Sequence, residues 1–509
     1  MWLYIISAIV VVLLSPILLG IVDYIRSIFR LKFYERQGLY TIYSIKGIFS
    51  IAGKDWPENK KVSNMEKLKA LANQHRHRKA IATKRIDSHG AYVMFLTEEF
   101  AKDFIMQEDN FDRLSLYSHV AKDIFGFFFW NGQKYHSARS VFVSAFSYER
   151  LSNFTMSVAR MIEKEMNNFA AEKNIGKDEY TRINFKDLMN RILEKVLNIF
   201  TFGVEDVDPL PSGESVYHAV HSVHATLVTL RNYPLFLLIP GICTKYKLIQ
   251  PIKDLERIEN ELTQYLAKVY KQRENSNKLG DCAMDMIVLH NRKCKETGNM
   301  EEYMDDKQLF GAINLFQFAG TDTSLNLVTN MVCAMAQRTE LQQKFAEFNK
   351  QIFDEKGNIV KESIETNPSL DEWIKEGLRL CNPTSRLSQR IAKKDCVING
   401  IKIQAGDAVT LSFLSLHFNE EFFKQPSVFD KERFNNVNEK KIPRYQYVPF
   451  GLGKRICLGR NLGQLISKMN LSLFCRAFEF RKPEDVEYYT HTITISSQET
   501  PILEVRRRS

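Results

Sequence analysis

The sequence predicts a mainly α-helical protein with small β sheets near its two ends, preceded by one transmembrane helix. Three observations carry this. Apolar residues recur with helical periodicity from about residue 98 to 350. Short alternating segments flank that body, at 39–45, 91–96, 397–403, 408–413 and 492–495. Residues 2–22 form an apolar run without a charge, long enough to span a bilayer.

Taken in order, the N-terminal run has no Lys or Arg before it, so the basic start of a cleaved signal peptide is missing. Asp23, Arg26, Arg30 and Lys32 follow it, and positive charge on that side places the remainder in the cytosol. Trp2 and Tyr4 suit one interface and Tyr24 the other. Residues 1–24 are therefore expected to be a retained anchor and 25–509 one cytosolic domain. The helical body is interrupted at Pro209-Leu-Pro211-Ser-Gly213, Pro234, Pro240-Gly241 and a polar stretch around 274–306. Later turns carry Asn399-Gly400 and Gly406-Asp407. Helical and strand parts interleave, so the chain is not divided further.

A net charge of +10 suits an acidic partner or an anionic membrane surface. It is dispersed and accompanied by no nucleic-acid motif, which argues against nucleic acid. The eight cysteines contain no C-x-x-C pair and read as reduced thiols.

Cys457 is singled out by its surroundings. Phe450, Gly453, Arg455, Cys457 and Gly459 spell F-x-x-G-x-R-x-C-x-G. Glycines at 453 and 459 are expected to permit tight turns through positive φ. Ala319-Gly320-Thr321-Asp322-Thr323-Ser324 sits within a long apolar helical segment. Gly320 costs helix stability there and calls for a reason, of which close approach of a flat ligand is one. Asp322-Thr323 places an acid beside an alcohol, a pair able to relay protons, and the Thr hydroxyl can return to an upstream carbonyl. Glu376 and Arg379 share a helix face at i,i+3 spacing. Ser369 to Glu372 reads as the capping box that starts this helix, and Asn382-Pro383 as its end. His218, His221 and His224 share one helical stripe without acidic or cysteine ligands at zinc spacing, so a helix face toward substrate or solvent is the expectation. The aromatic stretch from Phe111 to Trp130 divides into a substrate-facing part, 112–122, and a core part, 127–130.

These motifs, in this order over residues 35–505, resemble the cytochrome P450 family. The resemblance implies the cytochrome P450 fold and haem b, with Cys457 as the axial thiolate ligand to its iron. Thiolate ligation favours O–O cleavage. Phe450 would shield the sulfur, and Arg455 and Arg139 would pair haem propionates. Tyr135 stands where the family has tryptophan in its W-x-x-x-R helix. A further propionate arginine is either Arg386 or Arg390. Ala319 and Gly320 would lie beside the haem, with Thr323 steadying bound oxygen and Asp322 helping to deliver protons. Glu376, Arg379 and Arg433 would form a buried structural triad. Arg433 belongs to Phe429-Asp-Lys-Glu-Arg-Phe434, which is similar to the family's F-x-P-E-R-F segment with Lys431 replacing proline.

The function so implied is a monooxygenase inserting one atom of O2 into a lipophilic substrate. Its electrons come from NADPH through NADPH–cytochrome P450 reductase, at the endoplasmic reticulum membrane. Lys134, Lys440, Lys441, Arg444 and Lys454 would offer a basic docking face. The apolar run 233–241 is either a loop dipping into the bilayer or a plain buried segment. Isomerase-like relatives that need no O2 tend to lose the acid–alcohol pair, which is intact here.

Overall fold

The longest helix, Asp306–Ala336, organises the molecule. Asp305 caps it by accepting the Gln308 amide at 2.8 Å, while the Gln308 side chain accepts the Asp305 amide at 3.0 Å. It is apolar on nearly all sides because nearly all sides are packed. Helix Phe185–Phe202 lies along it, and Tyr148–Glu172, Val216–Thr229, Gln250–Glu274 and Arg460–Ala477 complete a helical core. Each fully buried Leu, Ile or Phe in that core, such as Leu193, Ile313 or Phe474, contributes about 1.5–3 kcal/mol.

This computed structural model describes residues 22, 25–42, 61–62, 75, 77–84, 90–113, 120–121, 124–230, 233, 235–236, 240–482, 488–490, 495–497 and 501–508. The apolar run 2–22 lies outside them except for Val22. Among the described residues no helix is long and apolar enough to cross a membrane. Most of the run 233–241 and residues 114–119 and 122–123 also lie outside.

Strands gather mainly at one side. A six-stranded sheet runs Tyr40–Ile42, Ala80–Lys84, Ala91–Phe95, Ala408–Leu411, Arg390–Ala392, Phe111–Asp112. Its centre pairs Ala91–Phe95 with Ala408–Leu411 in parallel, and Val409 pairs antiparallel with Arg390. A three-stranded sheet joins the C-terminal strands Phe478–Arg481 and Ile502–Arg507 to Thr181–Asn184 from the middle of the chain. The 397–403 segment is a hairpin, Cys396–Ile398 with Ile401–Ile403, turning through Asn399 and Gly400 at φ 50° and 74°. The 408–413 segment ends as a strand at Leu411, because the Ser412 hydroxyl accepts the Ser415 amide and starts helix Phe413–His417.

Two further expectations are corrected. The polar stretch 274–306 holds a helix, Ala283–Thr297, whose Met284, Ile287, Val288 and Cys294 are buried on one side. Helix Pro368–Leu380 is capped by Asn367, whose side chain accepts the Ser369 and Leu370 amides at 2.9 and 3.2 Å, and Ser369 lies inside the helix. Proline at the first helical position puts the cap immediately before it.

Helical residues 25–35 are stitched to the six-stranded sheet. The Tyr34 phenol donates to Asp407 Oδ2 at 2.5 Å, and Asp407 Oδ1 accepts the Ala91 amide at 2.8 Å. Burial, then the Asp407 carboxylate, push the Tyr34 pKa far up, so the phenol keeps its proton.

Candidate functional site

Three segments converge: the Cys457 loop, the Tyr135 helix with the sheet edge, and the middle of the long helix. The loop follows a 3-10 turn, Gly453–Arg455, and leads into helix Arg460–Ala477. The Cys457 amide donates to the Phe450 carbonyl at 2.9 Å, and the Phe450 ring packs against the core. Gly453 sits at φ +72°, and a Cβ there would lie 2.8 Å from Glu108 Cδ. Glu108 is buried and accepts the Lys454 amide at 2.7 Å, while Asp109 pairs with Lys454 Nζ. Gly453→Ala is expected to cost at least about 1 kcal/mol in backbone strain and to expel Glu108 as well. A denaturant midpoint equal to that of the unmodified chain would contradict this. Gly459 departs from expectation: its φ is −82°, and a Cβ there would make only an ordinary 3.5 Å contact with Phe146.

Of the eight cysteines, seven are buried or half-buried and Cys457 alone is exposed. Its thiol pKa is nevertheless raised by burial, against a hydrogen bond from the Gly459 amide and the charges of Arg139, Arg460 and Arg113. The residue is thus exposed while charged and amide groups of the chain lie close around its sulfur. Burial favours the protonated thiol, and a bound cation would favour the thiolate.

Four guanidinium groups gather beside that sulfur. Arg139 donates to the Tyr135 phenol oxygen at 3.0 Å and to the Ile456 carbonyl at 2.8 Å. Arg455 lies 3.8 Å over the Tyr135 ring and donates to Asn131 Oδ1 at 2.9 Å and to the Trp130 carbonyl. Arg390 is 1% exposed and donates to the Ser388 carbonyl at 2.6 Å. Arg113 donates to the Ser388 hydroxyl at 3.1 Å, with its guanidinium 3.4 Å over Phe128. Burial, then Arg390 and Arg455, hold the Arg113 pKa well below the usual range. Burial and Arg455 push Arg390 down to about 10. Arg455 is lowered by burial first, with Arg139 adding to it. Arg390 Nε and Arg455 Nη1 are buried with no hydrogen-bond partner among the described residues.

Glu108 and Asp112 offset only part of this charge. Buried like charges with unused donors call for anions. A group carrying two carboxylates beside an iron-binding face fits the donor set, and haem is such a group. Arg390 belongs to this cluster. Arg386 lies elsewhere, 5.4 Å over the Tyr92 ring. Arg113 was not singled out from sequence. It belongs to the 112–122 stretch expected to face substrate, and it lies within reach of the charges of Arg390 and Arg455. Within 127–130, Phe127, Phe129 and Trp130 are core while Phe128 is half-buried; Phe127 is T-shaped to Trp130 and stacked on Tyr135.

In the long helix, Ala319 is exposed and Gly320, Asp322 and Thr323 are half-buried, between flanks that are buried. Thr323 Oγ1 donates back to the Ala319 carbonyl at 2.8 Å, and Thr321 does the same to Gln317 at 2.7 Å. Gly320 has a packing reason: a Cβ there would lie 2.7 Å from Leu197 Cδ2 of helix Phe185–Phe202. Asp322 Oδ1 lies 3.7 Å from His221 Nδ1. His218 is exposed and bonded to Ser215 instead, and among the described residues no cluster suits a metal ion.

Behind the site, Glu376 and Arg379 are both fully buried and paired in a fork, at 2.7 and 2.8 Å. Arg433 Nε adds a 3.4 Å contact to Glu376, and the Asp430 amide donates to it at 2.9 Å. Lys431 replaces proline with an ion pair, 2.8 Å from Glu372 Oε2. Arg379 also donates to the His417 carbonyl at 2.8 Å, and His417 Nε2 accepts the Val448 amide at 3.3 Å. Burial, then Arg379, push the His417 pKa down to about 3 from 6.5. A pKa lowered in the folded state means that unfolding takes up a proton once the pH drops below 6.5. Folding stability is therefore expected to fall by up to about 1.4 kcal/mol per pH unit between pH 6.5 and 3. Denaturant unfolding at pH 7.5 and 5.5 reads this, and His417→Gln should remove that part of the slope. An equal slope in both chains would refute it.

The family model for cytochrome P450 matches residues 33–503, and this chain belongs to that family. The family uses haem iron with a cysteine thiolate as axial ligand. Among curated relatives, cytochrome P450 3A28 of Bos taurus is 24% identical over 329 residues, covering 63% of each chain. Lithocholate 6-beta-hydroxylase of Mesocricetus auratus is 25% identical over 360 residues, 70% of this chain and 69% of that one. Probable cytochrome P450 6w1 of Drosophila melanogaster is 24% identical over 347 residues, 65% of this chain and 66% of its own. The chain thus spans slightly under two thirds of the first and last of these relatives.

Proposed function

We propose that this chain is a haem-thiolate monooxygenase that inserts one oxygen atom of O2 into a lipophilic substrate. The observation that carries this reading is the gathering of four guanidinium groups beside the one exposed thiol. Cys457 would ligate the iron, while Arg113, Arg139, Arg390 and Arg455, with the Tyr135 phenol, would hold the two propionates. Haem, when bound, supplies the redox chemistry of O2 activation.

The chain's own residues do the rest. Phe450, partly buried against the core, would shade one side of the sulfur, and the Gly459 amide steadies its charge. The Thr323 hydroxyl donates its proton to the Ala319 carbonyl, which would leave its oxygen to accept a proton in turn. Asp322, next in the chain, holds and passes protons. Phe125 stacked on Phe318 at 5.0 Å, directly before Ala319, would offer a lipophilic substrate an apolar wall. The hamster relative's name, a lithocholate hydroxylase, is consistent with a bulky apolar one.

The same reading assigns electrons to NADPH through its cytochrome P450 reductase, docking at Lys134, Lys440, Lys441, Arg444 and Lys454, all exposed. It keeps residues 1–24 as a single-pass anchor in the endoplasmic reticulum membrane and 25–509 as a cytosolic catalytic domain. The charge pattern around 2–22 supports this, as do the exposed Val22, Ile25 and Phe29. The test is turnover of a panel of lipophilic compounds by the full chain with reductase, NADPH and O2 in vesicles. Product carrying one oxygen atom from labelled O2 is expected. Haem-loaded protein that consumes NADPH with no oxygenated product from any compound, or turnover without O2, would overturn the reading.

A further inference from the structure

We propose that Asn131 is the positioning residue that aims Arg455 at the haem propionates and ties it to the Arg113 segment. The inference rests on the haem reading above and goes beyond it, because Asn131 belongs to no motif and is given no contact with the cofactor. Asn131 is half-buried and stands immediately before helix Gly132–Ala145, where an asparagine side chain ordinarily caps the first amides. Here its side chain caps none of them. The backbone is extended at Asn131, with φ −130° and ψ 167°, and turns at Gly132 through φ +61°.

The amide serves other segments instead. Oδ1 accepts the Arg113 amide at 2.7 Å and Arg455 Nη2 at 2.9 Å. Nδ2 donates to the Arg113 carbonyl at 3.3 Å and to the Phe129 carbonyl at 3.2 Å. These bonds fill both acceptor and both donor places of the group. N–H donors face the oxygen and carbonyls face the nitrogen, so the neighbours fix which way the amide points. Arg113 is gripped through both of its backbone groups, directly after strand Phe111–Asp112, which pairs with the strand of Arg390.

That grip decides where Arg455 points. Its Nη2 is taken by Asn131 Oδ1 and the Trp130 carbonyl. The guanidinium lies 3.8 Å over the Tyr135 ring, which fixes its plane. Nη1, buried and with no hydrogen-bond partner among the described residues, is the end that remains for an anion. Without Asn131 the Trp130 carbonyl alone holds Nη2, and a single contact lets the fork swing. A cation aimed at the propionates favours the reduced, more negative haem, so losing that aim lowers the reduction potential.

The test uses the full haem-loaded chain and reads haem transfer to excess apomyoglobin and the ferric–ferrous midpoint by spectroelectrochemical titration. Asn131→Leu keeps the approximate shape of the side chain and removes its bonds to Arg113, Phe129 and Arg455. Asn131→Ser keeps a residue that starts helices well but is too short to reach Arg455. Both variants are expected to release haem about tenfold faster and to lower the equilibrium constant for reduction about tenfold, a fall of about 59 mV for one electron. A residue that served only to start the helix would be replaced by serine without loss. An Asn131→Ser chain with the potential and release rate of the unmodified one therefore overturns the proposal, even where Asn131→Leu fails to fold. A folded Asn131→Leu chain with unchanged potential overturns it equally. Neither readout needs turnover, so a chain that holds thiolate-ligated haem yet oxygenates nothing sinks the monooxygenase reading alone.

Discussion

Cys457→Ala is expected to abolish the long-wavelength absorption that thiolate-ligated haem gives when reduced and exposed to carbon monoxide. No other cysteine can substitute. Cys243, Cys282, Cys294, Cys333, Cys381 and Cys475 are buried, and Cys396 is half-buried in the small hairpin. Burial pushes Cys282, Cys381 and Cys475 up to about 12. The arginine cluster does not depend on the sulfur, since its bonds run to Tyr135, Asn131 and Ser388. The variant should therefore still fold, and any haem it retains should show the spectrum of a protein without thiolate. An unshifted band in the variant would sink the ligand assignment.

Glu376→Ala is expected to destabilise the fold by about 3–5 kcal/mol, the usual cost of removing one partner of a buried ion pair. Its carboxylate serves Arg379 twice, Arg433 once and the Asp430 amide once. Arg379 would be left 0% exposed with its charge uncompensated. Arg379 Nη1 still reaches the His417 carbonyl, but a carbonyl does not neutralise a guanidinium. The loss should spread to the 429–434 segment, which Glu376 holds through Arg433 and Asp430. Equilibrium unfolding in urea measures it, and a change below about 1 kcal/mol would show the pair to behave like an exposed one.

The two residues behind these predictions were legible in the sequence for opposite physical reasons. Cys457 stands in a contiguous loop whose spacing alone is distinctive. Glu376 and Arg379 share a helix face, so i,i+3 spacing implied the pairing before any tertiary contact was known. Arg113 and Glu108 were not legible. Arg113 meets Ser388 and Glu108 meets Lys454 across hundreds of residues, and neither belongs to a local pattern. The structure overturns the positive φ expected of Gly459 and adds a packing reason for Gly320. Gly320 makes room for Leu197, and Gly459 has a φ that any residue adopts. Helix 283–297 escaped because Asp285, His290, Arg292 and Lys293 dilute its apolar stripe. Asn367 escaped because Ser369 offered a competing cap pattern two residues on, although Pro368 argued for its predecessor.

The bond between Tyr34 and Asp407 has a mechanical consequence. Asp407 leads directly into strand Ala408–Leu411, its carbonyl accepts the Ala392 amide, and Val409 pairs with Arg390. The helix after residue 25 is therefore a handle on the sheet and not a slack tether. Load applied ahead of that helix passes through the Tyr34 phenol and the Arg30 guanidinium into the Asp407 carboxylate, and from there into the strand paired with Arg390. Where the chain is held, and at what tilt, is thus transmitted to the arginine cluster without a hinge between them.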